Sequence, residues 1–264
     1  MHMASNGPVV THVNICAVRD IGDISAEILG AKPFDDAPLT FPLLLFGQFE
    51  KDVKTHLYID DRCLVQESLS ISLSAPVGNE WSFQIAPVAT TDDRGTTILK
   101  VSLSHVSGGR ICDVRAALRR ESVDRLMVAA MPFDLAGRGF EMRDPCVTPP
   151  IDENYVDRYL KLVGDDNPIH AAVRRGVSAE LPAAIVPGGL IAMIAEAALR
   201  RAFHGASLVQ MNMRFTSPFF VGDRLRIYVQ KRESDVRRAR GVMCNEAGGL
   251  VAACDVVVAE SGSA

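Results

Sequence analysis

The stretch LIAMIAEAALRRAF, entered through Gly188-Gly189, reads as a helix with almost no polar face, interrupted only by Glu196, Arg200 and Arg201. A helix that is apolar nearly all round has no side to turn to water, so other structure must wrap it. The next residues can supply that wrapping. Val209, Met211, Met213 and Phe215 alternate with Gln210, Asn212, Arg214 and Thr216, and Leu225, Ile227 and Val229 alternate with Arg224, Arg226 and Tyr228. A period of two marks strands with one buried face. Two further strands, over 239–245 and 250–259, flank a turn at Gly248-Gly249.

The same plan occurs earlier in the chain. FPLLLFGQFEKDV places Pro42 in the first turn of a helix, where proline is tolerated. Leu69, Ile71 and Leu73 then alternate with serines; Pro76 and Gly78 follow, and Trp81, Phe83 and Ile85 come next. A strand over 99–103 leads to Gly108-Gly109 and another strand over 110–118. Pro76 and Gly78 answer Pro218 and Gly222, and the paired glycines answer each other. One central helix followed by antiparallel strands, present twice, predicts an α+β fold built as a fused pseudo-dimer. Between the halves, Pro145, Pro149 and Pro150 close a linker. A short helix is predicted from near Asp152, with Tyr155, Val156, Tyr159, Leu160 and Val163 on one face and Gly164 as its stop.

Composition narrows the function. With 264 residues, 48% hydrophobic and 23% charged, the chain can bury a sizeable core. A net charge of -4 and a pI near 5.9 argue against a polyanion binder, since nucleic-acid affinity rests on cationic side chains displacing counterions. A single tryptophan leaves little for a base-stacking platform. Arginine greatly outnumbers lysine, which fits either an Arg-biased host or a need for forked donors to phosphate and carboxylate. The six cysteines (Cys16, Cys63, Cys112, Cys146, Cys244 and Cys254) form no C-x-x-C pair or metal-spaced cluster, so reduced, buried thiols in a cytoplasmic protein are expected. The start MHMASNGPVV has no secretory pattern, and 181–199 is too broken by proline, glycine and Glu196 to span a membrane.

Directly after the Gly164 stop comes Asp165-Asp166-Asn167-Pro168-Ile169-His170. In a continuous helix Asp165 and His170 would not share a face, but the Asn167-Pro168 turn can fold them together. A converging carboxylate and imidazole form an acid–base pair able to hold a water, and Asn167 adds an uncharged amide to position water or a carbonyl. Taken alone, such residues are also common turn formers.

YLKLVGDDNPIH resembles the signature of the MaoC-like, R-specific enoyl-CoA hydratases, which have the hot-dog fold. IVPGGLIAMIAEAAL is similar to that family's glycine-led central helix, and MRFTSPFFVGDRL to its following strand and turn. The resemblance covers roughly 155–260. It implies a double hot-dog with a degenerate N-terminal repeat (8–120) that shapes the acyl tunnel, a linker (121–150) and a catalytic C-terminal repeat (151–260). It also implies that Asp165 and His170 are the catalytic pair assisted by Asn167, with Gly188 and Gly189 presenting backbone N–H groups to the thioester oxygen. A helix N-terminus suits that role because its amides are unpaired and carry partial positive charge. Two departures, Pro187 where the family often has His and Ala172 where it often has Asp, bear on substrate preference.

The expected enzyme is therefore a hydro-lyase that reversibly hydrates trans-2-enoyl thioesters to R-3-hydroxyacyl thioesters. Its substrate would be carried on coenzyme A or acyl carrier protein, with no further cofactor or metal, no nucleic acid and no membrane; a homodimer is left open. Arg174 and Arg175 are candidates for coenzyme A phosphates or an acidic carrier surface, and Arg237, Arg238 and Arg240 form a similar run. His12, His56, His105 and His204 have no partner in the sequence. Two alternatives stand beside this reading. One is a hot-dog thioesterase using Glu196, although that residue also suits an i,i+4 pair with Arg200; the other is a non-catalytic acyl-thioester-binding subunit.

Overall fold

The computed structural model describes residues 9–45, 63–75, 82–93, 95–140, 145–171, 180–232 and 235–259. Ten strands form one sheet: β1 (Val9–His12), β2 (Cys63–Leu73), β3 (Ser82–Thr91), β4 (Thr97–His105), β5 (Arg110–Glu121), β6 (Cys146–Val147), β7 (Leu208–Phe215), β8 (Arg226–Arg232), β9 (Asp235–Cys244) and β10 (Leu250–Val258). Among the described residues these helices accompany them: α1 (Ile15–Ile28), α2 (Val123–Leu126), α3 (Glu153–Val163) and α4 (Gly188–Ala202).

The sheet order is β1-β3-β4-β5-β2-β7-β10-β9-β8-β6, antiparallel at every step. Outward from the β2–β7 seam the two arms have the same order, β2-β5-β4-β3-β1 and β7-β10-β9-β8-β6, so the sequence repeat is also a spatial repeat. At the seam Ser68, Ser70 and Ser72 face Arg214, Asn212 and Gln210, and the Ser70 hydroxyl donates to Asn212 Oδ1 at 2.6 Å. On the other face of β2, Leu69 and Ile71 are buried. The hairpins β4–β5 and β9–β10 turn at Gly108-Gly109 and Gly248-Gly249, where positive φ at Gly108, Gly109 and Gly248 suits glycine.

The helix α4 is wrapped as its composition requires: Leu190, Ala192, Ile194, Ala195 and Leu199 are fully buried. One continuous core joins them to Ile21 of α1, to Phe41, and to Ile71 and Met211 of the seam strands. Of the predicted first-half helix, residues 43–45 are helical, and 46–53 fall outside the described residues, as do Pro76, Gly78 and Trp81. The helix α1 was not anticipated. Asn14 caps it by accepting from the Cys16 N–H, and Val18, Ile21, Ile24 and Ile28 bury one stripe. By its place after the edge strand, α1 is the first-half counterpart of α3.

Of the stretch 121–150, expected as a linker, the described residues 131–140 and 145–147 are folded onto the second half. The Leu250 N–H donates to Met131 O, Leu135 and Phe140 pack on Tyr228 and Val242, and β6 pairs with β8. The cysteines are unpaired thiols, but Cys16 is exposed rather than buried, because it lies in the first turn of α1 on the solvent side. Among the described residues, no helix is long and apolar enough to cross a membrane.

Candidate active site

The helix α3 starts and stops where the sequence indicates. Asp152 accepts from the Tyr155 N–H at 3.1 Å, and Gly164 adopts a left-handed φ of 69° that turns the chain off the helix axis. The turn that follows is built from its own side chains. Asp165 Oδ1 accepts from the Asn167 N–H at 2.9 Å, Asn167 Oδ1 accepts from the Ile169 N–H, and Pro168–His170 form a single 3-10 turn. This compact geometry brings Asp165 Oδ2 to 3.9 Å from His170 Nε2. The spacing is too long for a direct hydrogen bond, yet one water oxygen can lie at roughly 2.8 Å from both atoms.

His170 is fixed from behind. Its Nδ1 lies 2.6 Å from the Ile185 carbonyl, and the Ile185 N–H donates to Ile169 O at 2.9 Å. A carbonyl can only accept, so Nδ1 carries the proton. In the neutral ring, Nε2 then presents its lone pair toward Asp165.

Asn167 lines the same cavity as Asp165 and His170, and it also ties the turn to the other half. Its Nδ2 donates to the Leu64 carbonyl at 2.9 Å, a bond from the 165–170 turn to β2 of the other half. With Oδ1 and one Nδ2 proton so engaged, and the side chain buried, its visible function is to anchor the turn across the seam.

The Asp165 and His170 side chains line a cavity of about 290 Å³. Gly188 and Gly189 line it too, so the structure brings together all the expected site residues that it describes; Arg174, Arg175 and Ala172 lie outside the described residues. At the start of α4, Pro187 offers no side-chain cap, and no described residue accepts from the Gly188 or Gly189 N–H. These donors meet the cavity at the positive end of a 15-residue helix. The two glycines also allow close packing: a Cβ on Gly189 would overlap the Tyr159 hydroxyl, and one on Gly188 would overlap the Gln66 amide. Apolar walls come from Leu43, Leu64, Val163, Ile169 and Ile191.

Sequence reading missed the polar wall given by the other arm and the seam: Gln66, Glu67, Arg119 and Arg214. Arg119 is paired with Glu121 at 2.9 Å and approaches Glu67 at 3.8 Å, whereas no described carboxylate pairs with Arg214. Only strand register brings these residues to the cavity.

Glu196 is not at the cavity. It is buried at 2% exposure, accepting from the N–H of Leu39 at 2.6 Å and from the N–H and hydroxyl of Thr40 at 2.9 and 2.8 Å. Arg200 lies 3.9 Å away, itself ion-paired to Asp36 and stacked on Phe34. Burial pushes the Glu196 carboxyl above its ordinary range, more strongly than these donors pull it down. Its work is to join α4 to the first half, as the polar-neighbour reading required. Arg237 and Arg238 pair with Asp235, and Arg240 pairs with Asp255, on the exposed sheet face. His12 bonds Ser82, His105 packs against Phe83, and neither these nor His204 lines the cavity.

Residues 137–249 match the MaoC like domain family, across the turn, the glycine-led helix and the strands after it. This part of the chain is a MaoC-like domain. A comparison with curated proteins finds no match. Among solved structures, HtdX from Mycobacterium tuberculosis is similar with a TM-score of 0.66 and 16% identity, over 97% of this chain and 99% of that one. A MaoC-like dehydratase from Phytophthora capsici gives a TM-score of 0.69 at 13% identity, covering 99% and 97%. The 12:0-ACP thioesterase of Umbellularia californica gives 0.62 at 7% identity, covering 98% and 100%. At these identities the likeness is one of fold, the α+β hot-dog, and it extends through the first half as well as the MaoC-like domain.

Proposed function

We propose that the protein reversibly adds water across the C2–C3 double bond of a trans-2-enoyl thioester, giving the R-3-hydroxyacyl thioester. The observation that carries this reading is the Asp165–His170 pair, set 3.9 Å apart on the wall of a cavity, apolar on one side and polar on the other, that also receives the N-terminus of α4. One water between the two groups meets C3 with its oxygen. One member of the pair takes the proton from that water, and the other delivers a proton to C2, so the pair's total proton count is unchanged. Both additions come from the same side because a single pair serves both. Charge that builds on the thioester oxygen as C2 becomes enolate-like is met by the Gly188 and Gly189 N–H groups. The apolar walls take the acyl chain, and Arg214 suits the anionic part of a coenzyme A or carrier-protein handle.

The thioesterase reading rested on Glu196, and the burial of that carboxylate away from the cavity removes its support. A pure binding subunit has no use for a water-spaced acid–base pair. The test is incubation with crotonyl-CoA and longer trans-2-enoyl-CoAs, following conjugated-enoyl absorbance and free thiol together. Loss of absorbance without thiol is expected, and Asp165→Asn and His170→Ala should each remove most of it while the protein still melts cooperatively, His170→Ala at a lower temperature because the Ile185 carbonyl loses its donor. Constant absorbance with rising thiol would sink the hydratase reading.

A further inference from the structure

The Gln66 side chain is a polar group of the cavity wall that the chemistry above leaves unused. It is partly buried, it comes from the half without an acid–base pair, and its amide makes no hydrogen bond with any described residue. It lies against Gly188 so closely that a Cβ there would sit 3.2 Å from Gln66 Cδ and overlap the amide oxygen.

A break in the strand puts it there. Along β2, Leu69 and Ile71 face the core while Ser68, Ser70 and Ser72 face away. Strict alternation would turn Gln66 outward with the serines. The ladder to β5 instead slips by one residue between Gln66 and Ser68: Gln66 opposes Leu118 and Ser68 opposes Ala117, leaving Glu67 as the extra residue. One added residue exchanges the faces of everything before it. Gln66 thereby points to the α4 side, against Gly188, and Leu64, two residues earlier, supplies the backbone carbonyl that anchors Asn167.

We infer that Gln66 is a substrate-contacting residue of this site, its side-chain amide donating to the thioester carbonyl oxygen beside the Gly188 and Gly189 N–H groups. A carboxamide has two N–H donors and can present them by turning about its last torsion. Close approach to Gly188 brings those donors next to the helix-terminal amides, giving the developing enolate a donor from each half of the chain. The assignment rests on the hydratase reading for its reaction but not for its geometry.

Two measurements test it, one of which needs no turnover. In the first, Gln66→Met keeps side-chain length and removes the donors; kcat for crotonyl-CoA should fall by roughly 10- to 100-fold with KM little changed, somewhat below the loss for a fully buried oxyanion donor. Ser72→Ala, on the outer face of the same strand, should keep wild-type kinetics. In the second, acetoacetyl-CoA is added as a probe whose enolate absorbs in the near ultraviolet. Wild-type protein should raise the enolate fraction on binding, and Gln66→Met and Gln66→Glu should abolish the rise with an unaltered circular dichroism spectrum. Unchanged kcat together with an unchanged enolate signal in Gln66→Met would overturn the inference. A wild type that binds the enolate without hydrating crotonyl-CoA would instead overturn the reaction, leaving the Gln66 contact to be decided by the enolate signal of the variants.

Discussion

Replacing Gly189 by alanine tests how tightly the start of α4 is held. In an ordinary helix the change is favourable by about 1 kcal/mol, because alanine loses less backbone entropy than glycine. Gly189 has no positive φ to make alanine strained. Here, however, the new Cβ would overlap the Tyr159 hydroxyl and sit 2.9 Å from Tyr159 Cζ and 3.3 Å from Leu43 Cδ1. Tyr159 is 4% exposed and packed in the main core, so its ring cannot swing clear. Overpacking of this kind costs about 1–3 kcal/mol, and a direct overlap belongs at the upper end. Subtracting the helix gain leaves a net loss of roughly 2 kcal/mol, a fall in Tm of about 4–8 °C for a chain of this size. Gly188→Ala is the control for the arithmetic. Its nearest obstacle is the movable end of Gln66, with Phe215 Cζ at 3.0 Å, so its stability should stay near wild type while displacement of Gln66 lowers turnover. Thermal and urea unfolding, read beside crotonyl-CoA hydration, separate the two effects. A Gly189→Ala protein as stable as wild type, or more so, would refute the packing argument.

Glu196→Gln should destabilise by roughly 1–3 kcal/mol, since a carboxamide has one oxygen for donors that now use two and leaves a buried N–H unsatisfied; activity per folded molecule should be unchanged, and a further loss would return Glu196 to the chemistry. The same group has a pH signature. Burial raises its folded pKa above the ordinary 4.5, so over that interval the native state holds a proton that the unfolded chain has released, and its contribution to stability is lost as pH rises. Denaturation across pH should show a gentler decline in Glu196→Gln than in wild type. Asn167→Ala removes the bond to the Leu64 carbonyl; kcat should drop about tenfold or more with KM less affected, because a misplacement near 1 Å can cost that much. Unchanged kcat would mean the turn holds its shape unaided. Arg214→Ala should raise KM for a coenzyme A thioester and flatten its dependence on sodium chloride, as expected for a screened cation–anion contact; equal KM at low and high salt in wild type would count against it.

What the sequence determined by itself was local. Helix α4 declared its burial through its lack of a polar face, the strands declared themselves by alternation, and the turn 165–170 closes through hydrogen bonds spanning at most three residues, so its types and spacing are enough to bring Asp165 and His170 together. The helix α1 was legible in principle, from Asn14 and the Val18, Ile21, Ile24 and Ile28 stripe. Tertiary structure decided the rest. Joining β2 to β7 places Leu64 against Asn167, a slip of one residue turns Gln66 inward, and Leu39 and Thr40 rather than substrate surround Glu196. None of these is written in a window of neighbouring residues, because strand register and bulges are fixed by partners tens of residues away and a shift of one position exchanges the buried and exposed faces. The Asp165–His170 pair can therefore be read from six consecutive residues, while the cavity that it lines exists only once both halves have closed around α4.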